Sequence, residues 1–321
     1  MANVGVLLKP FQLKGLTLKN RIVSTPHAPA YAKDGMPQER YQLYHEEKAK
    51  GGIGLVMFGG SSTIAPECPA TFGQLCVDDD GIISFFRRFS ERIHRHGAGL
   101  ICQVSHMGRR TRWDVGDWLP PISASPVWEP EHQSIPKVME DWDFRRVIEA
   151  FAAAALRCKE GELDGVELSF NSLHLVPQFW SPSVNRRQDE YGGSLENRLR
   201  LSYQILDAVR AAVGDAFIVG VRLSVDELIE DGLSDVECRE IGVRLAATGK
   251  VDYFNTQGAQ PRDFPSLSIN MAGMAFPVAP FLHHASALRG ACGIPVMQAH
   301  RINDLYTAAM AIEEGHLDLA E

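Results

Sequence analysis

The sequence alternates between short apolar segments and longer amphipathic segments from one end to the other. Eight apolar segments have the length and composition of β-strands: 21–24, 54–58, 99–104, 165–168, 217–223, 251–254, 294–298 and one that begins at residue 317. The strands FIVGVRL and GLVMF are apolar at consecutive positions, which is typical of parallel strands covered on both faces. Six amphipathic segments are predicted to be helices: 39–50, 81–96, 144–159, 195–213, 235–247 and 303–314.

Eight strands with intervening helices and no break in composition predict one (β/α)₈ barrel, a TIM barrel, as a single domain over residues 1–321. A doubly wound open sheet is the alternative, but no G-x-G-x-x-G motif follows any strand. Ser234 and Glu237 have the spacing of a capping box at the start of the fifth helix. The chain reaches Glu321 about where strand eight is completed, so we expect a C-terminally incomplete barrel without the last strand's loop and helix.

Composition narrows the classes of protein to consider. A hydrophobic content of 45% and a charged content of 22% are ordinary for a globular chain and exclude collagen-like and disordered classes. No apolar run approaches the roughly eighteen residues of a membrane span, and a net charge of −8 gives no basic face for nucleic acid. Six scattered cysteines and the absence of a signal-peptide pattern lead us to expect free thiols and a cytoplasmic protein.

Three histidines lie near the carboxyl ends of predicted strands, where barrels build their active sites. They are His27, His106 and His174. A single histidine is more often structural, but three on one rim favour a site. No metal-ligand spacing accompanies them, so we expect no metal.

Arg222 ends the fifth strand and must offset the cost of burying its charge. The sequence leaves two partners open. One is an anionic or carbonyl group of a ligand, and the other is a carboxylate of the chain such as Glu167 or Asp226.

A long irregular segment, 108–141, follows the third strand and is rich in Trp and Pro. Insertions of this length in a compact domain are usually functional. Trp113 and Trp118 are candidates for an aromatic bowl over a ligand. We expect Trp128 and Trp180 to fill the underside of the loop instead.

The segment QFWSPSVNRRQDEYGGSLENR (178–198) resembles the signature loop of the old yellow enzyme and 2,4-dienoyl-CoA reductase family of FMN-dependent barrels. The motifs KNRIV (19–23), QVSHMGRR (103–110) and DGVEL (164–168) match this family in the same order. The resemblance covers essentially the whole chain, and the combination of motifs is highly specific. It implies a TIM barrel that binds FMN, with NAD(P)H as an allowed electron donor.

A narrower likeness is to the trimethylamine and dimethylamine dehydrogenase branch, notably to dimethylglycine and N-methylproline demethylases. PAYAKDGMPQERY (29–41) and HMGRRTRWDVGDW (106–118) carry it. Those enzymes oxidise an N-methyl amine and have further C-terminal iron–sulfur and dinucleotide domains. We expect neither domain nor an iron–sulfur cluster within 1–321, and therefore expect the missing domains or an electron-transfer partner to take the electrons.

The resemblance also implies which residues hold FMN. The implied positions are Pro26, His27, Gly59, Gly60, Gln103, Arg222, Ala299, His300 and Arg301. Gln103 would hydrogen-bond the flavin pyrimidine, Arg222 would face the N1/O2 edge, and the backbone of 299–301 would bind the phosphate. The cysteine that tethers FMN in trimethylamine dehydrogenase falls on Ala28, so we expect non-covalent FMN. The family's second phosphate-binding arginine falls beyond Glu321.

Departures from the family pattern bear on the reaction. The pair that binds a carbonyl oxygen in old yellow enzymes falls on Ser169 and Ser172, and the proton-donating tyrosine falls on His174. These departures argue against a reductase of unsaturated carbonyls or thioesters, which stays the alternative. We expect oxidative N-demethylation of a small amine by hydride transfer to flavin N5. His174, which we expect to titrate near neutral pH, would serve acid–base catalysis, with His106 as a further catalytic candidate.

The expected substrate site contains Trp113 and Trp118 as a bowl, with Arg109 or Arg112 holding a substrate carboxylate. A third hypothesis is a non-catalytic barrel fragment that does not retain FMN. Exposed core where an eighth helix packs in a barrel would favour association with a partner, and a homo-oligomer stays open.

Overall fold

A computed structural model describes residues 2–70, 73–112, 119–171, 173–259 and 264–321, and it shows the expected (β/α)₈ barrel. Eight strands pair in parallel in chain order. We number them β1 to β8: Val23–Ser24, Leu55–Thr63, Gly99–Ser105, Gly165–Phe170, Ile218–Ser224, Tyr253–Gln257, Val296–Gln298 and Leu319–Ala320. A parallel bridge between Ile22 and Ala320 brings β8 back to the start of β1. The eighth strand is thus formed and paired, and Glu321 follows it directly.

Seven helices pack around the strands and follow β1 to β7. We number them α1 to α7: Glu39–Lys50, Ile82–His94, Asp141–Glu160, Leu195–Val213, Asp235–Ala247, Leu282–Cys292 and Leu305–Glu313. Short helices at Leu175–Trp180 and Phe264–Asn270 lie after β4 and β6. The capping box at the start of α5 is present in both halves, as the sequence predicts.

Smaller elements complete the described structure. The chain starts with a 3₁₀ helix at Val4–Leu8 and an antiparallel hairpin of Phe11–Leu13 with Leu16–Leu18. The long segment after β3 contains a 3₁₀ turn at Gly108–Arg110 and a parallel pairing of Ile122–Ser123 with Lys137–Val138. None of the described helices is both long and apolar enough to span a bilayer.

The barrel interior has an apolar level and a polar level. The apolar level contains buried side chains from seven strands and the hairpin: Leu13, Leu18, Val23, Leu55, Met57, Ile101, Ile218, Tyr253, Met297 and Leu319. Towards the carboxyl ends, the next inward positions hold buried polar side chains, which we call the polar layer: Gln103, Glu167, Arg222, Asn255 and Glu321. Because side chains alternate in direction along a strand, this layer faces whatever binds at the carboxyl face.

One close approach inside the barrel generates a prediction about stability. A Cβ on Gly220 of β5 would lie 2.0 Å from the ring of buried Tyr253. Gly220→Ala should therefore overpack the interior and lower the free energy of unfolding by about 2 kcal/mol or more. Gly290→Ala, in α6, has no atom within 4 Å of its new Cβ and should raise the free energy by up to about 1 kcal/mol. Urea denaturation of both variants tests this, and equal effects would contradict it.

Candidate active site

A cleft of about 550 Å³ opens at the carboxyl ends of the barrel strands. Residues predicted for the cofactor site or for catalysis form much of its wall: Pro26, His27, Gly60, Gln103, His174, Arg222, Ala299, His300 and Arg301. Further wall residues, which the predicted site did not include, are Thr25, Ala28, Ser61, Asn171, Gln257, Asn270, Met271 and Ala272. The structure therefore brings residues from seven separate strand ends to one cavity.

The amide of Gln103 is fixed by two contacts in the floor of the cleft. Its Oε1 accepts the backbone N–H of Ser61 at 2.9 Å, and its Nε2 donates to Glu167 Oε1 at 2.7 Å. A backbone donor on one side and a carboxylate on the other leave one orientation for the amide. The second Nε2 hydrogen remains for another acceptor.

Arg222 is set among carboxylates in the polar layer. Its Nη1 lies 3.9 Å from Glu321 Oε2, and Asn255 Nδ2 donates to Glu321 Oε1 at 2.8 Å. Burial raises the pKa of Glu167, an effect that the nearby guanidinium opposes. The buried Nε of Arg222 has no hydrogen-bond partner within the described residues. The guanidinium thus has carboxylate neighbours and still keeps a donor for a ligand.

Of the two carboxylates first considered for Arg222, Asp226 has a different contact. It accepts the backbone N–H of Leu228 at 2.7 Å, which fixes the loop after β5.

The rim after β1 and β2 is shaped by close backbone packing. Gly60 has φ +54°, and a Cβ there would lie 2.3 Å from the backbone N of Ala28. The neighbouring Gly59 is buried, donates its N–H to Tyr41 Oη at 3.1 Å, and does not line the cleft. His27 lies in the wall, with its Nε2 2.8 Å from Tyr44 Oη. Burial, with a smaller contribution from a nearby lysine, lowers the pKa of His27.

The chain makes a sharp bend after β7, where phosphate binding is predicted. His300 has φ +77° and Arg301 has φ +56°, conformations that residues with a side chain seldom adopt. Burial lowers the pKa of His300 to about 4, so its ring is neutral at pH 7. The charge at this end of the cleft therefore comes from Arg301.

His174 is in the wall, but its environment corrects the expected protonation. Its Nδ1 lies 2.8 Å from Ser105 Oγ and 3.2 Å from Ser169 Oγ. Burial, followed by the positive charge of Arg110 and the influence of His106, lowers the pKa of His174 to about 3. The expectation that this imidazole titrates near neutral pH is therefore wrong, because the ring is neutral at any ordinary working pH.

His106 is not in the cleft wall. Its Nε2 lies 3.1 Å from Glu67 Oε1, and its Nδ1 accepts the backbone N–H of Gly108 at 3.0 Å. Both ring nitrogens are thus used to hold the turn after β3, and Arg146 also pairs with Glu67. His106 thus fixes the turn after β3 outside the cleft wall, and its assignment to catalysis stays a prediction.

Arg109 is likewise turned away from the cleft. Its Nη1 donates to the backbone carbonyls of Val127 at 3.2 Å and Trp128 at 3.4 Å. These bonds fix the long loop, and Arg109 does not line the cleft, so its contact with a substrate carboxylate stays a prediction. Trp128 is 56% exposed and does not fill the underside of this loop, whereas Trp180 is buried and donates to Ser202 Oγ at 2.7 Å.

Three predicted substrate residues lie outside the described part of the chain. They are Trp113, Trp118 and Ser172. Ser169 is described and contacts His174 rather than the cleft itself. Arg112, the other candidate for a substrate carboxylate, is exposed beside the undescribed segment.

Within the described ranges, one group of side chains has the spacing of metal ligands. The ligand atoms of Glu129, Glu131 and His132 lie within 4.8 Å of one another. However, Glu131 pairs with Arg110, and Glu129 Oε2 lies 2.9 Å from His132 Nδ1. These carboxylates are already engaged by the chain's own groups, and none of them lines the cleft.

A row of amides along the cleft was missed at the level of sequence. Asn171 follows β4, Gln257 ends β6, and Asn270 ends the short helix after β6. All three line the cleft. The sequence signal for two of them was a polar residue at the end of a predicted strand. It was not used because these amides belong to no known motif.

The described residues fit a flavin mononucleotide. The cleft offers a buried guanidinium with an unpartnered Nε, an amide with a spare N–H, and a sharply bent backbone beside Arg301. Hydrogen-bond donors and positive charge are the groups that a flavin pyrimidine edge and a phosphate require.

The whole chain matches a known family. The model of the NADH:flavin oxidoreductase / NADH oxidase family matches residues 6–320. The chain belongs to this family. The structure has the TIM-barrel fold expected from its motifs.

Curated relatives are identical to the chain at close to half of the aligned positions. It is 46% identical over 319 residues to a multifunctional alkene reductase/demethylase OYE of Caballeronia cordobensis, with coverage of 99% of the chain and 47% of the relative. It is 44% identical over 315 residues to an N,N-dimethylglycine/sarcosine dehydrogenase of Chromohalobacter salexigens, with coverage of 98% and 45%. A probable N-methylproline demethylase of Rhizobium meliloti is also 44% identical, with coverage of 98% and 46%. The chain thus spans about half the length of these relatives.

Among solved structures, a 2-naphthoyl-CoA reductase complex superimposes with a TM-score of 0.91 at 26% identity, covering 99% of this chain and 50% of that one. A histamine dehydrogenase from Rhizobium superimposes with a TM-score of 0.88 at 23% identity, covering 99% and 46%. The second likeness shows the fold alone.

The low pKa of His174 predicts a particular pH dependence of stability. An unfolded histidine takes up a proton below about pH 6.5, whereas the folded ring stays neutral down to about pH 3. This difference lowers the stability of the wild type as pH falls through that window. His174→Gln should therefore recover about 2 kcal/mol relative to the wild type between pH 7 and pH 4.5. Urea denaturation at the two pH values measures it.

His94 provides the control of opposite sign. The hydrogen bond to Asp164 raises the pKa of His94. The stability that this bond contributes is therefore present at low pH and lost as pH rises. His94→Gln should therefore lose more stability at pH 4.5 than at pH 7. A His174→Gln variant with an unchanged pH slope would contradict the neutral ring.

Proposed function

We propose that the chain is a single FMN-binding barrel domain that oxidises the N-methyl group of a small amine or amino acid. The observation that carries this proposal is the neutral, buried His174 at the position where an ene-reductase has its proton-donating tyrosine. Reduction of an alkene requires a proton donor near the substrate. Oxidation of a neutral amine by loss of a hydride requires none.

The residues that would hold FMN lie at five strand ends. Arg222 and Gln103 would bind the pyrimidine edge with their remaining donors, and Arg301 with the backbone of 299–301 would bind the phosphate. Bound FMN supplies a hydride acceptor for the N-methyl C–H bond, and the iminium left on the substrate is hydrolysed by water to formaldehyde and the demethylated amine.

The chain's own residues would select the protonation state of the substrate. His174 carries no charge, and Ser105 and Ser169 hold its ring in place. A neutral wall beside the substrate does not stabilise an ammonium group, since burying an unpaired charge is costly. We propose that this wall favours the free amine, which has the lone pair needed to form an iminium. A quaternary amine lacks it.

An electron acceptor must reoxidise the flavin, and we propose an electron-transfer partner or further domains for this step. The names of the relatives that are 44% identical support the amine reaction, since both are described as acting on N-methyl amino acids.

Reduction of unsaturated carbonyls with NAD(P)H is the second candidate. The relative that is 46% identical favours it, because its name includes both alkene reductase and demethylase. The amides in the cleft wall would then face a carbonyl oxygen, which also accepts hydrogen bonds.

The two candidates differ in which compound exchanges electrons with bound flavin. The protein loaded with FMN should lose its flavin absorbance near 450 nm when dimethylglycine is added without oxygen, and formaldehyde should appear in equal amount. A flavin that stays oxidised with dimethylglycine, but is reoxidised by cyclohexenone after reduction with NADH, would overturn the amine proposal in favour of the second.

The assignment of Arg222 to the flavin has a separate test. Arg222→Lys keeps a positive charge beside Glu321 but loses the planar set of donors, so FMN affinity should fall by about tenfold or more. Titration of FMN fluorescence measures this. Arg186→Lys changes an arginine whose side chain is 59% exposed and should leave the affinity unchanged. Equal affinities in all three proteins would remove Arg222 from the cofactor site.

A further inference from the structure

The cleft has two walls of different chemistry. The residues that we assign to the flavin come from the ends of β1, β2, β3, β5 and β7. The other wall residues come from the ends of β4 and β6 and the segment after β6: Asn171, His174, Gln257, Asn270, Met271 and Ala272. None of these six side chains carries a charge at pH 7, since the pKa of His174 is about 3.

Hydrogen bonds join the amides of this wall into one directed row. Ser169 Oγ donates to Asn171 Oδ1 at 2.6 Å, and Asn171 Nδ2 donates to Gln257 Oε1. Gln257 Nε2 then donates to Asn270 Oδ1 at 2.8 Å. Asn171 and Gln257 each accept on one side and donate on the other, and Asn270 accepts from Gln257, so the amide dipoles align and reinforce one another.

The row passes over β5 just beyond Arg222. Gln257 pairs in register with Ser224 of β5, and Phe170, the residue before Asn171, pairs with Leu223. Asn171 and Gln257 therefore meet across the strand that carries Arg222. The row forms the substrate side of the cleft directly above the polar layer.

The donating end of the row is the Asn270 amide. Its Oδ1 is used by Gln257, and no acceptor for its Nδ2 hydrogens lies among the described residues. Met271 and Ala272 follow it in the cleft wall and offer apolar surface. A polarised N–H pair beside apolar side chains matches a small molecule that joins an anionic oxygen to methyl groups.

We propose that Asn270, at the end of the amide row, binds the carboxylate of an N-methylated amino acid and so makes the enzyme selective for carboxylated amines. This rests on the proposed function, because it takes an amine as the substrate. It also replaces the role first given to Arg109, whose guanidinium is held by the carbonyls of the long loop.

Binding of a non-reactive ligand pair tests the proposal without turnover. Trimethylglycine has the carboxylate but no amine lone pair, and its methyl ester has the same cation without the carboxylate charge. Calorimetry in excess FMN should show that the wild type binds trimethylglycine about tenfold or more tightly than the ester. Asn270→Asp should abolish this preference, because a carboxylate replaces the donors and repels the ligand.

Ser268→Asp is the matched control. It adds the same charge to the same short helix at an exposed position and should keep the preference. Asn270→Leu, which removes the donors without adding charge, should also lose the preference and serves if Asn270→Asp is poorly folded. Equal binding of the two ligands by the wild type, or equal losses in the Asn270→Asp and Ser268→Asp variants, would overturn the proposal.

The result of this binding test can be distinguished from the result of the bleaching test of the proposed function. A preference for trimethylglycine that depends on Asn270, with no bleaching by dimethylglycine, would leave the carboxylate site standing and overturn only the amine oxidation. If dimethylglycine bleaches the flavin but the Asn270→Asp variant still prefers trimethylglycine, the amine oxidation stands and the carboxylate site at Asn270 is overturned.

Discussion

The cleft depends on the polar layer, which lies inside the barrel at the carboxyl ends of the strands. Inward positions alternate along each strand, so the interior changes from apolar to polar over one step of two residues. At the polar level, Glu167 holds the amide of Gln103, and Asn255 joins Glu167 to Glu321 beside Arg222. The carboxylates of Glu167 and Glu321 offset part of the cost of placing the Arg222 guanidinium here. This network forms the floor of the cleft. The floor presents hydrogen-bond donors and a positive charge to a bound ligand.

The wall residues from β4 and β6 differ chemically from this floor. It relies on neutral groups: a histidine kept unprotonated by burial and a row of amides that donate in one direction. Neutral donors recognise an anionic or carbonyl oxygen without attracting an ammonium charge. The two sides together give the cleft a polar lining.

Sequence reasoning predicted the fold well where periodicity was strong. The bounds of α1, α4 and α5 agree with prediction, and the Ser caps at the starts of α4 and α5 are visible in the sequence. Helix α6 was missed because its buried face is only Leu282, Ala285 and Leu288, among small and polar residues. The closing bridge of β8 to Ile22 was also not visible, since it joins the two ends of the chain.

Gln103 and Arg222, which the sequence places near the carboxyl ends of β3 and β5, both line the cleft. His106 and Arg109 do not line the cleft: His106 contacts Glu67 of the loop after β2, and Arg109 contacts the carbonyl of Val127 within its own loop. The protonation of His174 depends on burial, which no motif records.

A crystal structure of the protein with FMN and trimethylglycine tests the central claim most directly, since that claim assigns the two walls of the cleft to two ligands. The account predicts the flavin pyrimidine edge against Gln103 and Arg222, the phosphate at 299–301, and the carboxylate on Asn270. A flavin bound elsewhere, or a carboxylate held by Arg222 with Asn270 uninvolved, would contradict it.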